Sequence, residues 1–429
     1  MGDYLSDVAI IGAGLGGCAL ALALSAKNIS VSIFESRPSR SDVLKSGVIL
    51  TPNGLRVLDS LGIFDRIKDR CFKITHRIFK NDRDETVKKV LVANEELYGY
   101  RNHRIWRKLL LDEMKVMLDE RGIQIHYEAK FQGIISDDST GVAFKINDQT
   151  RSASLLVGSD GIYSTVRDYL APSIEPEYTG VLGVLAHIPH AVVNWPYEDY
   201  ERNATIQGKP GAVFFLPEDP QGEDLMIGTQ VQYPEQSRQD LERLAKDYDK
   251  LAKFYTHGYE EHGSTAQSII DQVVLNKDTL YIWPYLKMPT LQRWFSSTGR
   301  VIMVGDGAHA LPPSSGQGVN QALEDVYSLT LLLTSLHKPA GQVNGASARS
   351  DIEVTTALEF WQGMRQKRLD AIFDWVNGYQ NVERLPEADR KKVKVEGKEQ
   401  IGDDMSWLYR SSLESDIKEW LDAENRPSC

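Results

Sequence analysis

The stretch "DVAIIGAGLGGCALALALSAKNISVSIFE", residues 7 to 35, leaves the chain little freedom in how it can fold. Val8 to Ile11 is a short apolar run of the kind a buried parallel strand shows. Gly12, Gly14 and Gly17 follow as G-x-G-x-x-G, Cys18 to Ala26 has helical composition, and Val31 to Phe34 makes the next strand. Strand, tight turn, helix and strand in this order predict a βαβ unit in a parallel sheet.

Each glycine answers a separate demand. Gly12 permits the sharp turn, Gly14 lets backbone approach a pyrophosphate, and Gly17 lets the helix pack closely on the strand. The helix start then turns its amides toward the phosphates. Glu35 ends the second strand about twenty residues after the glycines, where a carboxylate accepts hydrogen bonds from ribose hydroxyls. Its charge repels a 2′-phosphate, which favours FAD or NAD over NADP at this site. The competing explanation is a structural turn, and the fingerprint alone does not separate FAD from NAD.

With 429 residues the chain can hold two or three domains and bury a substantial core. Its net charge of −11 argues against a nucleic-acid partner, because phosphate binding needs a basic surface. Cys18, Cys71 and Cys429 form no framework of pairs and no metal-ligand spacing, so a reducing compartment and no metal site are expected. Met1 to Asp7 lacks Lys and Arg, unlike a signal peptide, and no apolar stretch is long enough to span a membrane. A cytoplasmic protein, monomeric or homodimeric, is the expectation.

Two later stretches carry more chemistry. "LLVGSDGIYSTVR", Leu155 to Arg167, runs an apolar strand into Asp160–Gly161, which by itself reads as a turn with a capping Asp. "VGDGAHALPPSSGQGVNQALED", Val304 to Asp325, ends a strand in Gly305–Asp306–Gly307 and starts a helix after Gly316–Gln317–Gly318. His309 beside Asp306 raises the thought of a metal, but two such residues in one turn are too few, and a structural histidine is favoured.

In this order the three stretches resemble the single-component FAD-dependent aromatic hydroxylases, of the para-hydroxybenzoate and salicylate hydroxylase type. The resemblance spans about residues 7 to 380. It implies an α/β fold: a Rossmann-like FAD-binding domain with an inserted β-sheet substrate domain and a C-terminal helical region. The implied divisions are 1–177 and 291–385 for the FAD domain, 178–290 for the substrate domain, and 386–429 for a helical tail.

The resemblance also assigns residues. Gly12, Gly14, Gly17 and Glu35 serve the pyrophosphate and adenosine ribose, and Asp160 lies near the pyrophosphate with Arg167 supporting its loop. Arg107 in "RIWRKLL" contacts FAD, Asp306 holds the ribityl hydroxyls, and Gly47 and Val48 lie beside the isoalloxazine. Gly316, Gly318, Val319 and Asn320 turn helix-start amides to the flavin N1 and C2 carbonyl, where a reduced flavin carries its negative charge. Pro313, which has no N–H, offers its carbonyl on the N5 side. The implied chemistry uses FAD, NAD(P)H and O2, with a flavin C4a-hydroperoxide hydroxylating an electron-rich aromatic small molecule, as in secondary metabolism. Epoxidation, a reductase or dehydrogenase without oxygen transfer, and a non-catalytic flavin-binding protein are the alternatives.

Residues 178 to 290 are β-leaning, with strands expected at Val181 to Ile188, Val213 to Leu216, Leu225 to Gln232 and Tyr281 to Tyr285. The intervening stretch "SRQDLERLAKDYDKLAKFYTHGYEEHG" predicts an exposed helix. Phe214, Phe215 and Trp283 are candidates to line a substrate pocket, and His187 and Tyr285 to act in it, His187 as a base on a phenol. The segment "GAVFFLPEDPQGEDLMIGTQVQ" lacks the Arg common in the salicylate hydroxylase branch, which puts a salicylate-like carboxylate in doubt as substrate. One G-x-G-x-x-G of this type predicts that NAD(P)H binds without a domain of its own.

Overall fold

Five short strands lie parallel in the order Val301–Met303, Leu155–Gly158, Val8–Ile11, Val31–Phe34 and Ile125–His126. The structure, a computed structural model, describes residues 4–40, 46–336, 353–376, 404–410 and 412–424. Val8, Ile10, Leu155, Leu156 and Ile302 are fully enclosed, as strands of a sheet covered on both faces must be. The helix Leu15–Ser25 joins the first βα turn to the next strand and is buried from Gly17 to Leu24. A helix apolar all round needs cover all round. It is sandwiched by the helices Gly318–Leu336 and Arg107–Glu120. This is the Rossmann-like βαβ arrangement that the first forty residues predict. A small antiparallel sheet, Phe131–Asp138, Gly141–Ile146 and Gln149–Ala153, packs Phe131, Val142 and Phe144 against one side.

The second large unit is a seven-stranded sheet in the order Tyr281–Lys287, Glu177–Pro189, Asp224–Gln232, Ala212–Pro217, Ala204–Gln207, His76–Lys80 and Thr86–Leu91. All four strands expected between 178 and 290 are present. The sheet is not confined to that span: His76–Lys80 pairs parallel with Ala204–Gln207 and antiparallel with Thr86–Leu91. The exposed helix expected after Ser237 is instead two helices, Arg238–Leu244 and Tyr248–Thr256, the second capped by Asp247, which accepts from Lys250 N at 3.0 Å. Its Leu251 and Tyr255, with Ile269 and Ile270 of the helix Ser264–Leu275, cover the sheet residues Leu182, Val184, Phe215 and Ile227. The charges hid an amphipathic helix whose apolar face the sheet buries.

A three-stranded antiparallel sheet, Gly47–Leu50, Asn102–Trp106 and Phe72–Ile74, stands between the two units. The helix Val354–Trp375 packs along Gly318–Leu336. Of the expected tail, the helices Ser406–Tyr409 and Leu413–Glu424 are described, and Trp420 stacks on Phe360 with ring centroids 4.7 Å apart. No described helix is long and apolar enough to cross a membrane.

Candidate active site

The three motifs follow the strands Val8–Ile11, Leu155–Gly158 and Val301–Met303, which are neighbours in one parallel sheet. They therefore meet at its carboxyl edge, where open α/β sheets bind ligands. Gly12 has φ +102°, and a Cβ there would lie 2.4 Å from the Ser159 carbonyl oxygen. A Cβ on Gly17 would lie 2.0 Å from the Gly12 carbonyl oxygen, whereas Gly14 has nothing within 4 Å. The outer glycines are demanded by packing, and the middle one faces open space.

Glu35 follows the strand Val31–Phe34 and closes the same turn. Its Oε2 accepts from Ala13 N and its Oε1 from Arg37 N, both at 2.9 Å. Burial alone would raise its carboxyl, but these two N–H groups and the Arg37 charge hold it below its ordinary value.

Asp160 Oδ2 accepts from Thr165 N at 2.8 Å and Val166 N at 3.2 Å, capping the helix Thr165–Leu170, while its buried Oδ1 has no partner. Burial pushes this carboxyl up despite those bonds. Arg167, almost fully enclosed, donates to the carbonyls of Ile162 at 2.7 Å and Gly307 at 3.2 Å, tying the second motif to the third.

The third motif is fixed by a buried ionic network. Asp325 Oδ2 accepts from Gly305 N at 2.8 Å and lies 2.5 Å from His309 Nε2, while its Oδ1 meets Arg365 Nε at 2.8 Å. Arg365 Nη1 also reaches Glu324 Oε2, and Asn53 Nδ2 reaches Glu324 Oε1 at 2.7 Å. His309 is thus a structural member of this network. The described residues contain no cluster of three or more His, Cys, Asp or Glu that could hold a metal.

Asn320 does more than open a helix. Its Oδ1 accepts from Thr51 N at 3.0 Å, and its Nδ2 donates to Ile49 O at 3.0 Å and Gly316 O at 2.9 Å. It pins the strand Gly47–Leu50 to the turn, and Gly54 leaves the room, since a Cβ there would be 2.1 Å from Asn320 Oδ1. Pro313 is exposed, and its carbonyl accepts from Gly316 N at 3.0 Å, closing a tight turn with one lone pair and keeping the other for a further donor. Gly318 and Val319 begin the helix Gly318–Leu336, whose first amides have no carbonyl partner within the helix.

Asp306 is exposed at the start of the short helix Asp306–His309, and a Cβ on Gly318 would lie 3.6 Å from its Oδ1. Burial lowers the Arg107 guanidinium from its ordinary value and the Asp306 charge opposes this; Arg107 Nε is buried without a partner. A bare helix start, an open Gly14, an orphaned cation and an orphaned carboxylate oxygen fit a group that is both anionic and hydroxyl-rich. FAD is such a group.

Across from the Gly47–Leu50 strand lies the face of the seven-stranded sheet that turns away from its helices. Strand alternation and register place His187, Met226, Phe214, Tyr281, Trp283 and Tyr285 on it. Phe215 points the other way, into the helix-covered core, with its ring 5.4 Å from Trp195, so it does not share a wall with Phe214. Gly228 makes space for the Phe214 ring, and Gln230 Nε2 donates to Tyr285 OH at 2.6 Å.

His187 stands in a cluster that no sequence motif marks. Its Nε2 lies 3.4 Å from Glu218 Oε1, and its ring is 4.9 Å from Trp106 and stacked at 5.7 Å on Tyr281. Glu218 is fully buried; its Oε1 accepts from Arg104 Nη2 at 2.6 Å and from Gly47 N at 3.1 Å. Gly47 is glycine for this reason: a Cβ there would be 1.8 Å from Glu218 Oε2. The Tyr281 hydroxyl is pushed up by burial and by the Glu218 charge. Nothing in the sequence marks the pair: Arg104 follows Arg101, Asn102 and His103, and Glu218 stands beside Asp219 where an apolar run ends.

A family model for an FAD binding domain matches residues 5–344. The "FAD-dependent monooxygenase janM" of Penicillium janthinellum is 26% identical over 86% of this chain and 75% of its own length. The "6-methylsalicylate 1-monooxygenase atA" of Aspergillus terreus is 29% identical over 76% of this chain and 74% of its own. The crystal structure of CtdE in complex with FAD and a substrate superposes with a TM-score of 0.74 at 17% identity, over 97% of this chain and 98% of that one, a likeness of fold. With its three motifs gathered on one sheet edge and an FAD binding domain over most of its length, the chain belongs to the FAD-dependent monooxygenases of the aromatic hydroxylase type, with FAD as cofactor.

Proposed function

We propose that the protein hydroxylates an electron-rich aromatic small molecule, with NAD(P)H as reductant and O2 as oxidant. The observation that carries this is the facing of two walls: the FAD cradle at the sheet edge, and a sheet face lined by Phe214, Trp283, Tyr285 and His187. Bound FAD supplies the redox chemistry and the activation of O2. The residues supply position and field. Glu35 and the glycine turn hold the dinucleotide end, and Asp306 takes hydroxyl groups beside Arg107. The start of the helix Gly318–Leu336 sets a positive dipole end where negative charge develops on reduction, with no reorganisation needed at that moment. Trp106, Phe214 and Tyr285 keep water from the space between the walls. A 6-methylsalicylate monooxygenase among the relatives supports an aromatic substrate for this chain.

The test is anaerobic stopped-flow reduction of the FAD-loaded protein by NADH and by NADPH, with and without a phenolic panel, followed by mass spectrometry after oxygen is admitted. We expect slow reduction alone, acceleration by at least one phenol, and a product about 16 daltons heavier, the mass of one oxygen atom transferred by such a cofactor. Flavin reduction that no phenol accelerates, with peroxide as the sole oxygen product, would replace this reading with a reductase.

A further inference from the structure

The polar cluster at Glu218 is incomplete. Three of its buried polar atoms have no partner: Glu218 Oε2, Arg104 Nε and the Tyr281 hydroxyl. Buried polar groups are nearly always hydrogen-bonded, so three orphans within one cluster call for a polar guest. The cluster sits between the strand Gly47–Leu50 and the helix-free face of the large sheet, the two walls between which the proposed hydroxylation takes place. Trp106 and His187, which border the cluster, are only partly buried.

We propose that Glu218, Arg104 and Tyr281 form the polar anchor of the substrate chamber, which selects a neutral aromatic hydroxyl or heteroaromatic N–H and rejects an aromatic carboxylate. This rests on the hydroxylase reading above. Glu218 and Arg104 already neutralise one another through Oε1 and Nη2, so the cluster offers no countercharge to an added anion. It offers one acceptor, Oε2, and two donors, Nε and the Tyr281 hydroxyl. A phenol hydroxyl both donates and accepts and satisfies such a set. A carboxylate only accepts, and it would be forced beside a carboxylate that has no water around it. A site built this way discriminates strongly, because any ligand that lacks the donor leaves Oε2 unpaired in the dark. The His187 ring, packed between Trp106 and Tyr281, gives the anchor an aromatic border.

The experiment uses the FAD-loaded full chain and follows the flavin difference spectrum during titration with resorcinol, 2-naphthol and 4-hydroxyindole, then with benzoate, 2-naphthoate and indole-4-carboxylate. Wild type is expected to respond to at least one member of the hydroxyl series at a concentration tenfold or more below any carboxylate. Glu218→Gln keeps the shape but removes the charge and half of the acceptor capacity; we expect it to weaken the best hydroxyl ligand about tenfold or more and to narrow the gap to its carboxylate. Tyr281→Phe removes a single hydroxyl without touching the ion pair, so it tests the anchor even where the first variant loses FAD, and a loss of about fivefold in ligand affinity is expected. Equal affinity for the two series, no response to any hydroxyl compound, or unchanged ligand affinity in an FAD-retaining variant overturns the anchor. Failure to form an oxygenated product from a ligand that binds as expected overturns the hydroxylase reading and leaves the anchor standing.

Discussion

The FAD cradle and the sheet face opposite it recognise their guests by different means. In the cradle the work falls to backbone. Gly14 is open, Gly12 and Gly17 are stripped of side chains by contacts of 2.4 and 2.0 Å, and Glu35 ties the turn from 22 residues away. On the sheet face it falls to side chains drawn from far apart: Glu218 meets Arg104 across 114 residues and Gly47 across 171. The difference follows from what each side holds. A cofactor that never changes can be read by backbone amides and the glycines that expose them, whereas a substrate is read by side chains that substitution can retune.

The third motif joins the two, and the largest effect we predict is there. Replacing Arg365 by Leu strips Glu324 and Asp325 of the cation they share, leaving Glu324 with Arg368 and Asn53 and Asp325 with His309 and Gly305 N, away from water. Breaking such a buried pair costs about 3–5 kcal/mol. Urea denaturation of the FAD-free chain should show a loss of that order. A loss below about 1 kcal/mol, the worth of one ordinary hydrogen bond, would mean that the turn stands without its network and that the cradle is purely local.

What could be read from the sequence divides along the same line. The strand Val8–Ile11, its turn and the helix behind it are legible because only glycine tolerates Gly12's φ of +102° or Gly17's contact with the preceding turn. The strands Ala212–Pro217 and Asp224–Gln232 are legible from their apolar runs, within a residue or two at each end. The face each residue would take is not, and Phe215 shows why: alternation fixes that it opposes Phe214 but not which of the two meets the helices. Phe131–Asp138 and Gln149–Ala153 carry too many exposed polar residues to announce themselves as strands. The charged stretch after Ser237 presents its charges to solvent and hides Leu251 and Tyr255 beneath. Glu218 was beyond reach, because a carboxylate is buried only when distant partners such as Arg104 make that possible.

Within the cradle, Glu35 gives a pH test of intermediate size. Its folded carboxyl lies below its ordinary value of 4.5, so its stabilising contribution is complete above that pH and is lost as pH falls through the lower folded value. Glu35→Gln gives up the charge on two hydrogen bonds, at a cost on the order of 2 kcal/mol near neutrality. The stability gap between wild type and variant, measured by denaturation of the FAD-free chain, should stay constant from neutral pH to about 4.5, the unfolded carboxyl's range, and close below it. A gap that persists in strong acid would show that the carboxylate's charge is not what holds the turn.

The smallest predicted effect sharpens the comparison most, because it should appear on one wall only. Tyr285→Phe removes the acceptor that Gln230 Nε2 reaches at 2.6 Å and leaves a ring of the same shape against Gly183. The net worth of such a bond is about 1 kcal/mol, roughly fivefold in an equilibrium constant. Because Gln230 and Tyr285 both lie in strands of the large sheet, that loss should fall on the affinity for aromatic ligands, read from the flavin difference spectrum. FAD affinity, read by fluorescence on release of the cofactor, should stay within about twofold, since the Gln230–Tyr285 bond lies within the large sheet. An equal fall in both affinities would mean that the walls do not divide recognition between them, and that side chains of the sheet help to hold the cofactor as well.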